Sequence, residues 1–184
     1  LGEGGTTEMS LEMALFVAAD AHRKQFDKLG VKYIFHPMRL AVMAQALGLD
    51  EESQEVALLH DVVEDTDTTL DDLRDCGFSE RVIAGVDAMT RRNGKNAVKY
   101  NGIPVDETYM DFLRRSSLDG IARKIKPLDN ADNMRPERSL SGDFKLPVRY
   151  RRAYRYLMNA NVVAGDLDYV IRFRRLHPWV HQYV

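Results

Sequence analysis

Apolar residues recur with a helical period along most of this chain, and short polar stretches separate the periodic runs. Leu11, Ala14, Leu15 and Ala18, continued by His22, follow three- and four-residue spacing, and Ser10 stands where an N-cap belongs. Gly30 and Lys32 mark a loop, and residues 33–37 lead into a second helix. Pro37 suits its first turn because a missing N–H would be unpaired there anyway. Leu40, Met43, Ala44 and Leu47 form the buried stripe of that helix, and Gly48 ends it. Asp50 is placed to cap a third helix that runs on through His60 and Asp61. Residues 69–75 read as a short helix stopped by Gly77, and Ser79 opens another with Val82, Ile83, Val86 and Met89 on one side.

After Thr90 the pattern changes. Asn101-Gly102 stands between two β-prone runs, which predicts a small hairpin near residues 97–105, and Pro104 limits its second arm to an edge position. Asp106 is placed to cap a helix carrying Tyr109, Phe112 and Leu113. Leu118, Ile121, Ala122, Ile125 and Leu128 continue a helical stripe that Pro127 is expected to kink or weaken. Residues 147–163 and 166–176 complete the helical pattern. The expectation is an all-α bundle, with residues 1–9 a flexible leader and residues 10–184 one domain.

Composition narrows the function. A chain of 184 residues can bury one well-formed core, and 45% hydrophobic with 29% charged residues is ordinary for a soluble domain. The formal net charge of −2 lacks the basic excess of a nucleic-acid-polymer binder. The basic sets Arg91-Arg92, Arg114-Arg115 and Arg149, Arg151, Arg152 and Arg155 read as solvated helix faces. No apolar run approaches the roughly 18 residues of a membrane span, and no basic-then-apolar signal segment opens the chain. Cys76 is the single cysteine, which rules out an internal disulfide and fits a reducing cytoplasm.

The chemistry concentrates in residues 58–66, Leu-Leu-His-Asp-Val-Val-Glu-Asp-Thr. On a helix, Glu64 lies one turn beyond His60 and Asp65 one turn beyond Asp61, so the four polar groups fill an arc of about 140°. Val56, Leu59 and Val63 fill the neighbouring arc and can enter a core. His36 and Asp129 add another imidazole and carboxylate. His36, His60, Asp61 and Asp129 form a mixed nitrogen–oxygen set suited to Mn²⁺, Fe²⁺ or another borderline divalent ion. Such an ion lowers the pKa of bound water and neutralises a phosphoryl oxygen. A lone His before Pro or a lone Asp on a charged helix would be unremarkable; the combination is specific.

These residues identify a resemblance. The chain is similar to HD-superfamily metal-dependent phosphohydrolases, and within them to the hydrolase domain of RelA/SpoT-type alarmone enzymes and the single-domain small alarmone hydrolases. The resemblance rests on Ala21-His22, Gln25, Gly30, Tyr33-Ile34 and His36-Pro37, then residues 58–66. It continues through Gly85-Val86, Met89-Thr90, Lys126 and residues 129–134, covering residues 10–158. It implies an HD-domain helical bundle, with Mn²⁺ on His36, His60, Asp61 and Asp129. Glu64 and Asp65 would orient the attacking water and handle protons. The implied substrate is guanosine tetra- or pentaphosphate, cut at the 3′ position to release pyrophosphate. Asn133 and Lys28 would contact the nucleotide, and Tyr109 and Tyr150 are further candidates for the pocket wall.

Three features depart from the family pattern. Asp27 replaces an arginine that would stack on guanine, which leaves the base open. Pro127-Leu128 replaces Leu-Ala before the last metal ligand. Residues 96–105 form an insertion that reads more readily as a surface hairpin than as a flap. Two alternatives stay open: a nucleotide phosphatase releasing orthophosphate, and a non-catalytic HD module that binds a nucleotide. Homo-oligomerisation is also left open.

Overall fold

The computed structural model of the protein describes residues 11–135 and 148–183. The leader and two expected helix starts, at Ser10 and Pro147, lie outside the described residues. The helices are α1 (Leu11–Ala21), α2 (Phe35–Ala46), α3 (Glu51–Leu59), α4 (Val62–Asp65), α5 (Leu70–Asp75) and α6 (Glu80–Met89), followed by α7 (Tyr109–Leu118), α8 (Ala122–Asn133), α9 (Val148–Val163) and α10 (Leu167–Leu176). Between α6 and α7 stand the antiparallel strands β1 (Val98–Tyr100) and β2 (Ile103–Val105). The all-α expectation with a small hairpin holds. No helix among the described residues is long and apolar enough to cross a membrane.

Local chemistry accounts for several helix boundaries. Asp50 and Ser79 accept the backbone N–H groups of Ser53 and Val82, and Thr69 and Asp72 form a reciprocal capping box on α5. Gly48 ends α2 at φ 72°, a conformation open to glycine without strain. The expected cap at Asp106 is corrected: Thr108 accepts from the Asp111 N–H and caps α7, while Asp106 accepts from Gly94 N. A second correction concerns Leu118, which is 84% exposed at the end of α7 and leaves the buried stripe to Ile121, Ala122, Ile125 and Leu128.

Helix α3 lies centrally and packs against α1, α2, α6 and α8. Leu40, Ala44, Val56, Leu59, Val86, Ile125 and Leu128 are among the fully or nearly fully buried residues of this core. Gly85 permits the close approach of α6 to α3, since a Cβ there would stand 2.7 Å from Val56 Cγ2. An alanine at that position would push the two helices apart.

Pro127 does not end α8. Its missing N–H leaves the Arg123 carbonyl without its helical partner, and the fully buried Asn161 of α9 donates Nδ2 to that oxygen at 2.8 Å. Tyr169 of α10 donates its hydroxyl to the adjacent Lys124 carbonyl at 2.5 Å. The two C-terminal helices thus brace α8 where the proline weakens it.

The hairpin turns at Asn101 (φ 49°) and Gly102 (φ 79°), as a two-residue type I′ turn requires. Val98, Tyr100, Ile103 and Val105 share one face and are all exposed, and Lys99 pairs with Pro104 on the other. This fits the expected surface hairpin.

Candidate metal centre and catalytic pocket

Four side chains converge from three regions of the chain. α2 contributes His36, the α3–α4 junction contributes His60 and Asp61, and α8 contributes Asp129. His36 Nε2 stands 3.2 Å from Asp129 Oδ1 and 3.8 Å from Asp61 Oδ2; His60 Nε2 stands 2.8 Å and 4.0 Å from Asp61 Oδ2 and Asp129 Oδ1. His36, His60 and Asp129 each place a ligand atom within 4.8 Å of the others.

The expected continuous helix through His60 and Asp61 is interrupted there. His60 is the C-cap of α3 and Asp61 the N-cap of α4. The His60 ring turns back to donate Nδ1–H to the Ala57 carbonyl at 2.8 Å, an oxygen within the last turn of α3. The break separates Asp61 from the regular helical arc and lets its carboxylate meet His60 Nε2.

The donor set fits a divalent ion. A carbonyl and a carboxylate can only accept, so His60 Nδ1 and His36 Nδ1, the latter 2.7 Å from Asp132 Oδ2, both carry protons. In the neutral rings both Nε2 lone pairs then face inward. His60 Nε2 is buried without a hydrogen bond, its contact with Asp61 being close but outside hydrogen-bond geometry. Burial alone would depress His36, but hydrogen bonds to Asp129 and Asp132 outweigh it and push its pKa to about 9. The pocket is therefore organised to hold positive charge.

Further residues fix these four side chains. Arg39 grips Asp132 with two hydrogen bonds of 2.7 and 2.8 Å. Burial opposes the Asp132 charge, but Arg39 and His36 hold its carboxyl well below the usual range. The Tyr33 hydroxyl donates to Asp61 Oδ2. Lys126 Nζ and Asn133 Nδ2 hold the two oxygens of Asp129 at 2.7 and 2.6 Å. Despite burial, Lys126 and His36 keep Asp129 strongly acidic, and His60 does the same for Asp61.

Glu64 and Asp65 behave differently. Burial pushes both carboxyls up; the Arg91 N–H, 2.8 Å from Glu64 Oε2, and the Gln25 amide, 3.1 Å from Asp65 Oδ2, only partly offset it. Gln25 is itself oriented by His22 Nδ1 at 2.7 Å. Carboxyls displaced in this direction suit proton transfer near neutral pH.

Glu64 and Asp65 enter a cavity of about 250 Å³ together with Asp61 and Asp129. Arg91, Lys126, Tyr109, Asn133 and Tyr150 line the same space. Asn133 and Tyr109, expected at the substrate, therefore stand on the wall. Lys28 does not: it is exposed on the turn after α1 and lines none of this cavity. Asp27 is committed to that turn, accepting the N–H groups of Leu29 and Val31 at 2.8 and 2.9 Å. Tyr33, Arg39, Arg91 and Asp132 escaped the sequence reading of the site. A signal existed for two of them, since Arg39 and Asp132 each follow a ligand by three residues and share its helix face.

Residues 14–126 match the HD domain family. A guanosine-3′,5′-bis(diphosphate) 3′-pyrophosphohydrolase from Haemophilus influenzae is 34% identical over 178 residues, covering 91% of this chain and 25% of that protein. Its counterpart from Aquifex aeolicus is 34% identical over 125 residues, 68% of this chain and 17% of that protein. A GTP pyrophosphokinase from Streptomyces coelicolor is 35% identical over 135 residues, covering 73% of this chain and 16% of the relative. The chain thus spans a quarter or less of the length of these relatives. A solved structure of a metazoan ortholog of SpoT superposes with a TM-score of 0.60 over 90% of this chain and 94% of that one. At 22% identity this is a likeness of fold.

Proposed function

This chain belongs to the HD-domain family, and from that premise we propose that it hydrolyses a phosphorylated nucleotide, releasing pyrophosphate from the 3′ position of a guanosine polyphosphate of the (p)ppGpp type. The observation that carries the reading is one cavity lined by two strongly acidic carboxylates, Asp61 and Asp129, and by two carboxyls displaced upward, with the buried His36 and His60 imidazoles turned toward the acidic pair. The similarity to pyrophosphohydrolases supports the choice of substrate.

In this proposal His36, His60, Asp61 and Asp129 hold Mn²⁺, which supplies Lewis acidity toward water and a phosphoryl oxygen. Glu64 orients the attacking water and takes its proton. The water oxygen bonds to the phosphorus attached to the ribose 3′ oxygen, and the ribose oxygen–phosphorus bond breaks. Asp65, raised by burial, carries a proton to the departing ribose oxygen. Arg91, Lys126 and Asn133 face the phosphoryl charge, and Tyr109 walls the nucleotide side. Lys28 is left out of the contact set because it lies off the cavity wall.

The test is incubation of chelator-stripped protein, with and without restored Mn²⁺, with guanosine 3′,5′-bis(diphosphate) and other 3′-phosphorylated nucleotides. Metal-dependent release of pyrophosphate is the expected result. Orthophosphate alone would transfer the site to the phosphatase reading, and no turnover with metal bound would leave a binding module.

A further inference from the structure

We propose that Glu107, at the stem of the 96–105 insertion, and Arg115 of α7 are positioning residues that hold Glu64 for catalysis, and that the hairpin beyond the stem is dispensable to the reaction. This rests on the reading of Glu64 as the water-orienting carboxylate.

The backbone N–H of Arg91 is the hydrogen-bond donor to Glu64 Oε2, at 2.8 Å. Arg91 follows Thr90, the C-cap of α6, where the chain leaves the helix with an extended conformation (φ −82°, ψ 118°). An N–H just past a helix end has no helical ladder to fix its direction, so something else must.

Arg115 of α7 does this from one side. Its guanidinium donates to the Asp87 carbonyl at 2.8 Å and to the Thr90 carbonyl at 2.7 Å, capping the end of α6. The same guanidinium grips both oxygens of Glu107 at 3.0 and 2.9 Å. Glu107 closes the other side. Its Oε2 accepts from Arg92 N at 3.1 Å, its carbonyl accepts Arg91 Nη2 at 2.8 Å, and its own N–H donates to the Arg92 carbonyl at 2.7 Å. The peptide that aims at Glu64 is thus held from before and after by one bidentate ion pair. The Arg115 side chain is 28% exposed and that of Glu107 11%, so water competes little at Glu107.

The tip of the insertion makes no comparable claim. Val98, Tyr100, Ile103 and Val105 are exposed, and none lines the cavity that contains Glu64. The segment that follows the hairpin thus clamps the backbone behind the carboxylate.

Three variants test this in the full chain on guanosine 3′,5′-bis(diphosphate) with Mn²⁺. Glu107→Gln keeps the shape but loses the charge that orders Arg115, and kcat should fall at least tenfold while Mn²⁺ affinity and KM stay within about twofold. Arg115→Lys, which cannot make the fork, should show the same split. Replacing residues 98–105 with two glycines should leave kcat within about twofold. Glu64→Gln separates the two levels of inference: if it turns over normally, the role of Glu64 fails. If it is inactive while Glu107→Gln is not, the clamp fails alone. Loss of Mn²⁺ affinity and thermal midpoint in parallel with kcat in both clamp variants, or loss of kcat in the tip deletion, would also overturn the inference.

Discussion

Asp61 and Glu64 lie one turn apart yet are held in opposite electrostatic conditions, and their substitutions should separate accordingly. Asp61→Ala removes a proposed ligand and leaves His60 Nε2 with only Asp129 Oδ1, 4.0 Å away; the expected outcome is loss of bound metal by elemental analysis and loss of turnover. Glu64→Ala should keep the metal and lose about 10²–10⁴-fold in kcat. Full hydrolysis by a metal-free Asp61→Ala protein would contradict the proposed chemistry. The pH dependence has a definite sign. Glu64 and Asp65 are raised by burial, so their protonated forms favour the folded state. Their contribution to stability is complete below the unfolded pKa and is lost as pH rises through the folded one. A base form is needed for catalysis, so kcat/KM should fall on the acid side at a pH above the ordinary carboxylate value of about 4. A pH–rate profile of the metal-saturated protein checks this, and an acid limb at or below that value would count against Glu64 as the base. At this scale His60-Asp61 was legible because adjacency of ligand types beside an apolar stripe is a strong local signal. Asp132 and Tyr33 were less visible, since their partners, His36 and Asp61, are 96 and 28 residues away.

Caps at Asp50, Thr69 and Ser79 made the corresponding helix starts readable, because a cap is a local event. The break between α3 and α4 was not readable, because it depends on a ring folding back on its own helix to reach the Ala57 carbonyl. Pro127 shows the same limit from the other direction: it is locally unfavourable, and only Asn161 and Tyr169 explain its survival inside α8. This gives a double-mutant prediction. Asn161→Ala strands the Arg123 carbonyl and should cost about 1–3 kcal/mol in urea unfolding. In a Pro127→Ala background the restored N–H serves that carbonyl, and the same substitution should cost at least about 1 kcal/mol less. Equal costs in the two backgrounds would show that Asn161 does not compensate for the proline.

For the whole molecule, the fold class was legible because helical periodicity repeats over many segments; of the pocket, individual wall residues such as Glu64, Tyr109 and Asn133 were legible but not how they assemble. The pocket wall combines Tyr33 just before α2, the α3–α4 junction, α4, the Arg91 turn, α7, α8 and α9. Packing assembles them. Metal should consequently stabilise the protein globally: at a free concentration one hundred times Kd, binding contributes about 2.7 kcal/mol. For a chain of this size, that is a rise in Tm of about 5–10 °C by calorimetry on adding Mn²⁺ to stripped protein. The Asp61→Ala protein should show no such rise.

The wide spacing of the four proposed ligands also has a meaning in time. His36, His60 and Asp61 leave the ribosome as an incomplete set, and Asp129 emerges nearly seventy positions after Asp61. Until α8 has been synthesised and seated, a nascent chain has no complete cage to load. Acquisition of the ion would then mark the passage from growing polypeptide to finished domain.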